Sequence, residues 1–258
     1  MQVKMEDVDI GYGGKAIVRG ADFTLEGPGL NCIIGPNGVG KSTLVKCIDG
    51  LLPPMKGKVS IDGADLSSLS RKDISAKIAY VPVQAEDLFS MTVFDTVMIG
   101  RSNKYRWRAR AEDIAKVKTV LEVLGIGDLA QCRFNELSAG QRELVAIARG
   151  LVQETEIIIL DEPTANLDLG HQLFVTSLLH EIAMRKGVMV IMISHNVNIA
   201  SMFADSILLM APPGTVKKVG TVGDVIEERT IYDTYRVRST VITHEERPVI
   251  LLNRRLEP

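Results

Sequence analysis

Apolar runs of strand length alternate along this chain with stretches of helical period, the pattern of a mostly parallel sheet covered by helices. Val3 to Asp9, Gly20 to Leu25 and Leu30 to Ile34 read as strands, with Gly27-Pro28-Gly29 as a turn. A helix is expected from Lys41 until Pro53-Pro54 stops it. Lys58 to Ile61 and Ile78 to Val83 read as further strands, after which the character turns helical from about Gln84 to Leu137. Ile157 to Leu160 and Val188 to Ile193 are short apolar runs of buried-strand type. Between them an amphipathic helix is expected from His171 to Arg185, with Phe174, Leu178 and Ile182 as its apolar stripe. Ile207 to Met210, Val237 to Thr243 and Val249 to Leu252 are the remaining strand-like runs.

This organisation implies one α/β domain with a mixed sheet core. Residues 1–84 and 138–236 form that core, residues 85–137 a helical insertion, and residues 237–258 a short C-terminal extension. A length of 258 residues with 46% hydrophobic content supports a sizeable core but not two large domains. Thirty basic and 32 acidic side chains give a net charge of -2, so no global field draws the protein to nucleic acid, and none is expected as a partner. The apolar runs are too short to cross a bilayer. Cys32, Cys47 and Cys132 match neither a disulfide framework nor a zinc site and read as small apolar residues of a reducing compartment.

Two segments carry chemistry. Gly35-Pro36-Asn37-Gly38-Val39-Gly40-Lys41-Ser42 has the spacing of a phosphate-binding loop and lies between an apolar strand and a helix start, with Thr43 following. Its glycines let backbone N–H groups wrap a phosphate, and the helix dipole favours the negative charge. Lys41 supplies a mobile cation for the terminal phosphates, and Ser42 a hydroxyl for Mg²⁺. Ile157-Ile158-Ile159-Leu160-Asp161-Glu162 then puts two carboxylates at the end of a buried strand, where open α/β sheets bind ligands. Asp161 is expected to hold the metal's water shell. Glu162 is expected to polarise the water that attacks the terminal phosphate.

Between these segments comes Leu137-Ser138-Ala139-Gly140-Gln141, which resembles the signature sequence of ABC ATPases with its first glycine replaced by alanine. The resemblance covers nearly the whole chain and implies the P-loop NTPase fold of ABC type. Tyr12 matches the aromatic residue that stacks on adenine, Gln84 the glutamine that reaches the metal and the attacking water, and His195 the switch histidine near the terminal phosphate. Ala165-Asn166-Leu167-Asp168 matches the loop that crosses the dimer interface. The resemblance implies a second copy of the chain, the signature of each closing on ATP held by the other. Ser138 is a good N-cap, so the signature also opens a helix at an anion-binding start. Ala139 adds a methyl group that weakens closure if the position needs φ > 0, so reduced activity is expected on that condition.

Leu167-Asp168-Leu169-Gly170-His171-Gln172, Thr92 to Arg101 and Tyr235-Arg236-Val237-Arg238 resemble the ATPases of importers for iron–siderophore complexes, haem and cobalamin, and some for molybdate or tungstate. This branch implies two integral-membrane permease subunits, an indirect link to a substrate-binding protein, and a peripheral place on the cytoplasmic face of the membrane. His195-Asn196-Val197-Asn198 departs from the branch, which usually has an acid after the histidine, and Glu143 stands where a polar or basic residue is commoner. Arg101 to Arg110 holds five basic residues beside Tyr105 and Trp107. That patch reads as a solvated helix face or as a surface for the permease. A soluble ABC ATPase uncoupled from transport is the alternative, and it predicts tandem ATPase domains, a long coiled coil or a basic arm.

Overall fold

The computed structural model describes residues 1–83, 91–102 and 110–253. The chain begins with a long hairpin, β1 (Gln2–Tyr12) and β2 (Lys15–Glu26). Tyr12 pairs with Lys15 across Gly13 and Gly14, whose φ values of 56° and 78° give the two-residue turn that suits the strand twist. The hairpin therefore runs past the ends expected from its apolar runs. β4 (Lys56–Ile61) and β5 (Ala64–Asp65) join it in a four-stranded antiparallel sheet of order β2-β1-β4-β5.

A second sheet has the order β10-β9-β3-β8-β7-β6, and its inner strands are parallel. These are β3 (Gly29–Ile34), β6 (Ile78–Val81), β7 (Ile157–Leu160), β8 (Met189–Ile193) and β9 (Ser206–Ala211), with β10 (Thr215–Gly220) antiparallel at the edge. The sheet is apolar on both faces. Ile33, Ile159 and Ile191 pack toward the antiparallel sheet, whereas Cys32, Ile158 and Val190 pack toward the helices on the other side.

Helix α1 (Lys41–Ile48) is enclosed in the core on the antiparallel-sheet side, where Leu44, Val45 and Ile48 are fully buried. It ends well before Pro53, because Gly50 takes a left-handed φ of 69° that closes the C-terminus. α2 (Arg71–Lys77) precedes β6 and carries a complete capping box between Ser70 and Asp73. On the opposite face lie α3 (Val93–Met98), α4 (Ala111–Val123), α5 (Ala139–Leu151) and α6 (Leu169–Lys186). In α6 the fully packed ridge is Val175, Leu179 and Ala183, while Phe174 is 44% exposed. The helix is apolar over a wide arc, so hydropathy alone admits two neighbouring four-residue ladders, and contact with β3 and β8 selects one of them. The short helices α7 (Val197–Phe203), α8 (Val222–Val225) and α9 (Glu228–Tyr235) lead to a C-terminal hairpin of β11 (Ser239–His244) and β12 (Arg247–Leu252).

Arg101, from the basic segment, is no surface residue. Its guanidinium is 4% exposed and donates to Asp113 at 2.9 Å, to Glu154 at 2.7 Å and to the Val152 carbonyl at 3.0 Å. It thereby ties α4 to the end of α5. Arg110 starts α4, and Tyr105 and Trp107 lie outside the described residues.

The thiols of Cys32 and Cys47 are buried and pushed up to about 12, which makes them inert. Asp49, at the end of α1, is pushed up to about 7 by burial, against the nearby Arg71 guanidinium. A carboxyl raised in the folded state holds its proton longer there than in the unfolded chain, so its contribution is full below about pH 4 and is lost as pH rises to about 7. Urea unfolding midpoints are expected to fall across that window more steeply for the wild type than for Asp49→Asn. Parallel slopes would contradict this origin.

Candidate active site

The phosphate loop leaves the end of β3, flanked in the sheet by β8 and β9. The side chains it needs arrive from the ends of β7 and β8. Gly40 is the N-cap of α1 at a φ of 106°, and a Cβ there would lie 2.7 Å from Val18 of β2. Only glycine fits between that strand and the helix start. A cavity of about 310 Å³ above the helix is lined by Ile17, Asn37, Gly38, Gly40, Lys41, Ser42, Thr43, Glu162 and His195. Val39 faces the other way, into the core.

Lys41 is 4% exposed, and its Nζ donates to the carbonyls of Gly35 at 2.9 Å and Pro36 at 3.0 Å. Burial lowers its pKa, and the carboxylates of Glu162 and Asp161 oppose that shift. Asp161 is 2% exposed, and each of its oxygens accepts one hydroxyl. Ser42 Oγ donates to Oδ1 at 2.9 Å, and the Tyr80 hydroxyl donates to Oδ2 at 3.1 Å. Burial raises the Asp161 carboxyl, while these two hydrogen bonds lower it.

Glu162 holds the left-handed φ of 56°, unusual for a non-glycine residue. His195, just beyond β8, places Nε2 2.6 Å from Glu162 Oε1. A carboxylate held by an imidazole beside a phosphate cradle is arranged to orient a water molecule. The oxygens of Ser42 and Asp161 are hard donors meeting at the same point, a donor set that fits Mg²⁺.

Ser138 caps α5, with its Oγ accepting from the Gln141 amide at 3.3 Å and the Gln141 side chain accepting from the Ser138 amide at 2.9 Å. Ala139 lies in the first helical turn and is not among the positive-φ residues, so the condition attached to its methyl group is not met. None of Leu137, Ser138, Ala139, Gly140 and Gln141 lines the cavity above Lys41. Glu143, one turn further along α5, accepts from Asn166 Nδ2 at 2.6 Å and so joins the signature helix to the loop after Glu162. Asp168 caps α6, accepting from the His171 amide at 2.9 Å. Tyr12 is 50% exposed at the hairpin tip, on the strand pair whose Ile17 borders the cavity. Gln84 lies outside the described residues.

Tyr80 went unnoticed in the sequence. Its one signal is a polar side chain in the otherwise apolar run Ile78 to Val81, which pairs in register with the strand that ends at Asp161.

A buried lysine in a glycine cradle, a hydroxyl-carboxylate pair and a carboxylate held by histidine together define a P-loop ATPase site. The family model for ABC transporters matches residues 18–165, and the chain belongs to that family as an ATP-binding and ATP-hydrolysing subunit. It is 33% identical over 250 residues to the iron(3+)-hydroxamate import ATP-binding protein FhuC of Bacillus subtilis, covering 95% of this chain and 93% of that one. It is 32% identical to the hemin import ATP-binding protein HmuV of Bordetella avium, covering 98% of each. Its fold superposes with a TM-score of 0.82 on a chain of a metal-chelate-type ABC transporter in an inward-facing conformation, at 26% identity and with 97% of this chain and 96% of that one covered.

Tyr80→Phe strands one oxygen of the buried Asp161, at a cost of about 1–3 kcal/mol. Calorimetry is expected to show weaker Mg²⁺ binding to the nucleotide complex and a lower unfolding temperature. An unchanged Mg²⁺ affinity would show that the phenol does not position the carboxylate.

Proposed function

We propose that two copies of this chain close on two MgATP molecules and that hydrolysis drives an importer through two integral-membrane permease subunits. The observation that carries the reading is the Glu162–His195 pair at the mouth of the cavity above Lys41. The position of the signature supports the two-copy arrangement. Its helix start lies outside the chain's own phosphate cavity, as a group serving a partner's nucleotide must.

In this reading Gly35 to Thr43 hold the phosphates, Lys41 neutralises the charge that develops on them, and Tyr12 stacks on adenine. Ser42, Gln84 and Asp161 hold Mg²⁺, partly through water, and the ion supplies electrostatic stabilisation of the terminal phosphate. Glu162 positions the attacking water, and His195 fixes the carboxylate oxygen it touches. Leu137 to Gln141 stabilise the partner's ATP, and Asp168 lies at the interface.

The helical insertion, residues 85–137, is the surface offered to the permeases. The chain then sits as a peripheral subunit on the cytoplasmic face of the membrane; among the described residues no helix is long and apolar enough to cross it. The names of FhuC and HmuV and the metal-chelate transporter support a metal-containing cargo such as an iron–siderophore complex, haem or cobalamin, delivered by a substrate-binding protein.

Glu162→Gln is expected to stall the closed state, so light scattering with MgATP should report a doubled mass. A mass unchanged by ATP would count against the sandwich. Gentle solubilisation of native membranes containing a tagged chain is expected to recover a polytopic permease. Recovery from the soluble fraction alone would favour the ATPase uncoupled from transport.

A further inference from the structure

The C-terminal segment grips the helix that follows His195. That helix is α7, which starts two residues after His195. Asn198 treats Ile250 of β12 as a strand neighbour would: its Nδ2 donates to the Ile250 carbonyl at 3.1 Å, and its Oδ1 accepts from the Ile250 amide at 2.8 Å. The fully buried Ser201 donates its hydroxyl to the Pro248 carbonyl. Arg247 reaches back to the Ala204 carbonyl at 2.7 Å. A seven-residue helix has little stability of its own, so these bonds set where it sits.

α9 and the hairpin belong to one piece, because Glu228 of α9 accepts from the Val241 amide of β11 at 3.0 Å. Between this piece and the site lies a cavity of about 560 Å³. Glu162 and His195 line one side of it, and Ile231, Tyr235, Ile250 and Leu252 line the other.

We propose that residues 228–253 form a positioning brace for the ATPase site, with Asn198 and Ser201 fixing His195 against Glu162. The proposal rests on Glu162 and His195 being the hydrolytic pair. Asn198 is the side chain through which α7 meets the hairpin. A displacement of about 1 Å in a reacting geometry can cost about a hundredfold in rate, so a brace outside the cavity is sufficient to govern turnover.

Steady-state kinetics, equilibrium binding of a fluorescent ATP analogue and hydrogen exchange on the full chain test it, well below the unfolding temperature. Asn198→Ala is expected to lower kcat by about fivefold to twentyfold with nucleotide affinity within about twofold of wild type, and to speed exchange across residues 197–203. Asn198→Asp keeps the acceptor and loses the donor, so an intermediate kcat is expected. Thr243→Ala, exposed on β11, should change neither. Should Asn198→Ala fail to fold, Asn198→Asp decides the question. Wild-type kcat and affinity in every folded variant would overturn the brace. Glu162→Gln, measured alongside, separates the two levels: if it is inactive while the brace variants are unaffected, only the brace fails, and if it turns over normally, the hydrolytic reading fails and the brace falls with it.

Discussion

The structure depends on keeping one carboxylate, Asp161, ionised at the end of a strand with almost no access to solvent. Burial raises its pKa, and the Ser42 and Tyr80 hydroxyls oppose that by donating to its two oxygens. Those donors come from α1 and β6, so the carboxylate is satisfied only when the phosphate loop, β6 and β7 are all in place. The same constraint makes the site sensitive to its ligand. Lys41 lies near both carboxylates yet bonds to the Gly35 and Pro36 carbonyls, and a phosphate entering the cavity competes for that ammonium.

The parallel sheet explains why these groups can meet. Its mostly apolar inner strands are buried on both faces, and β3, β7 and β8 each end at the site. Glu162 meets His195 from a left-handed backbone conformation that costs about 1–3 kcal/mol. The loop beyond is held to the signature helix by the Asn166–Glu143 bond.

Much of this was legible in the sequence because the chemistry is local. Glycine spacing before Lys41, and two acids after Ile157 to Leu160, need no knowledge of the fold. Tyr80 was not legible, since its hydroxyl matters only once β6 pairs with β7. The exposed Phe174 shows the limit of periodicity, because the buried ladder of α6 lies one residue further on and is chosen by the sheet beneath it. Gly50, not Pro53, ends α1 because a left-handed glycine closes a helix before a proline has to break it. The hairpin at residues 239–252 was read as two strand-like runs, but its grip on α7 depends on side-chain pairing that no local pattern encodes.

The central claim is that catalysis occurs between two copies. Its most direct measurement is the specific ATPase rate of the purified chain across about a hundredfold range of subunit concentration, at saturating MgATP. A composite site requires the rate per subunit to rise with concentration and then level off as the paired fraction approaches one. A rate per subunit that stays constant down to the most dilute sample, where light scattering reports single chains, would show that one copy suffices and would contradict the account.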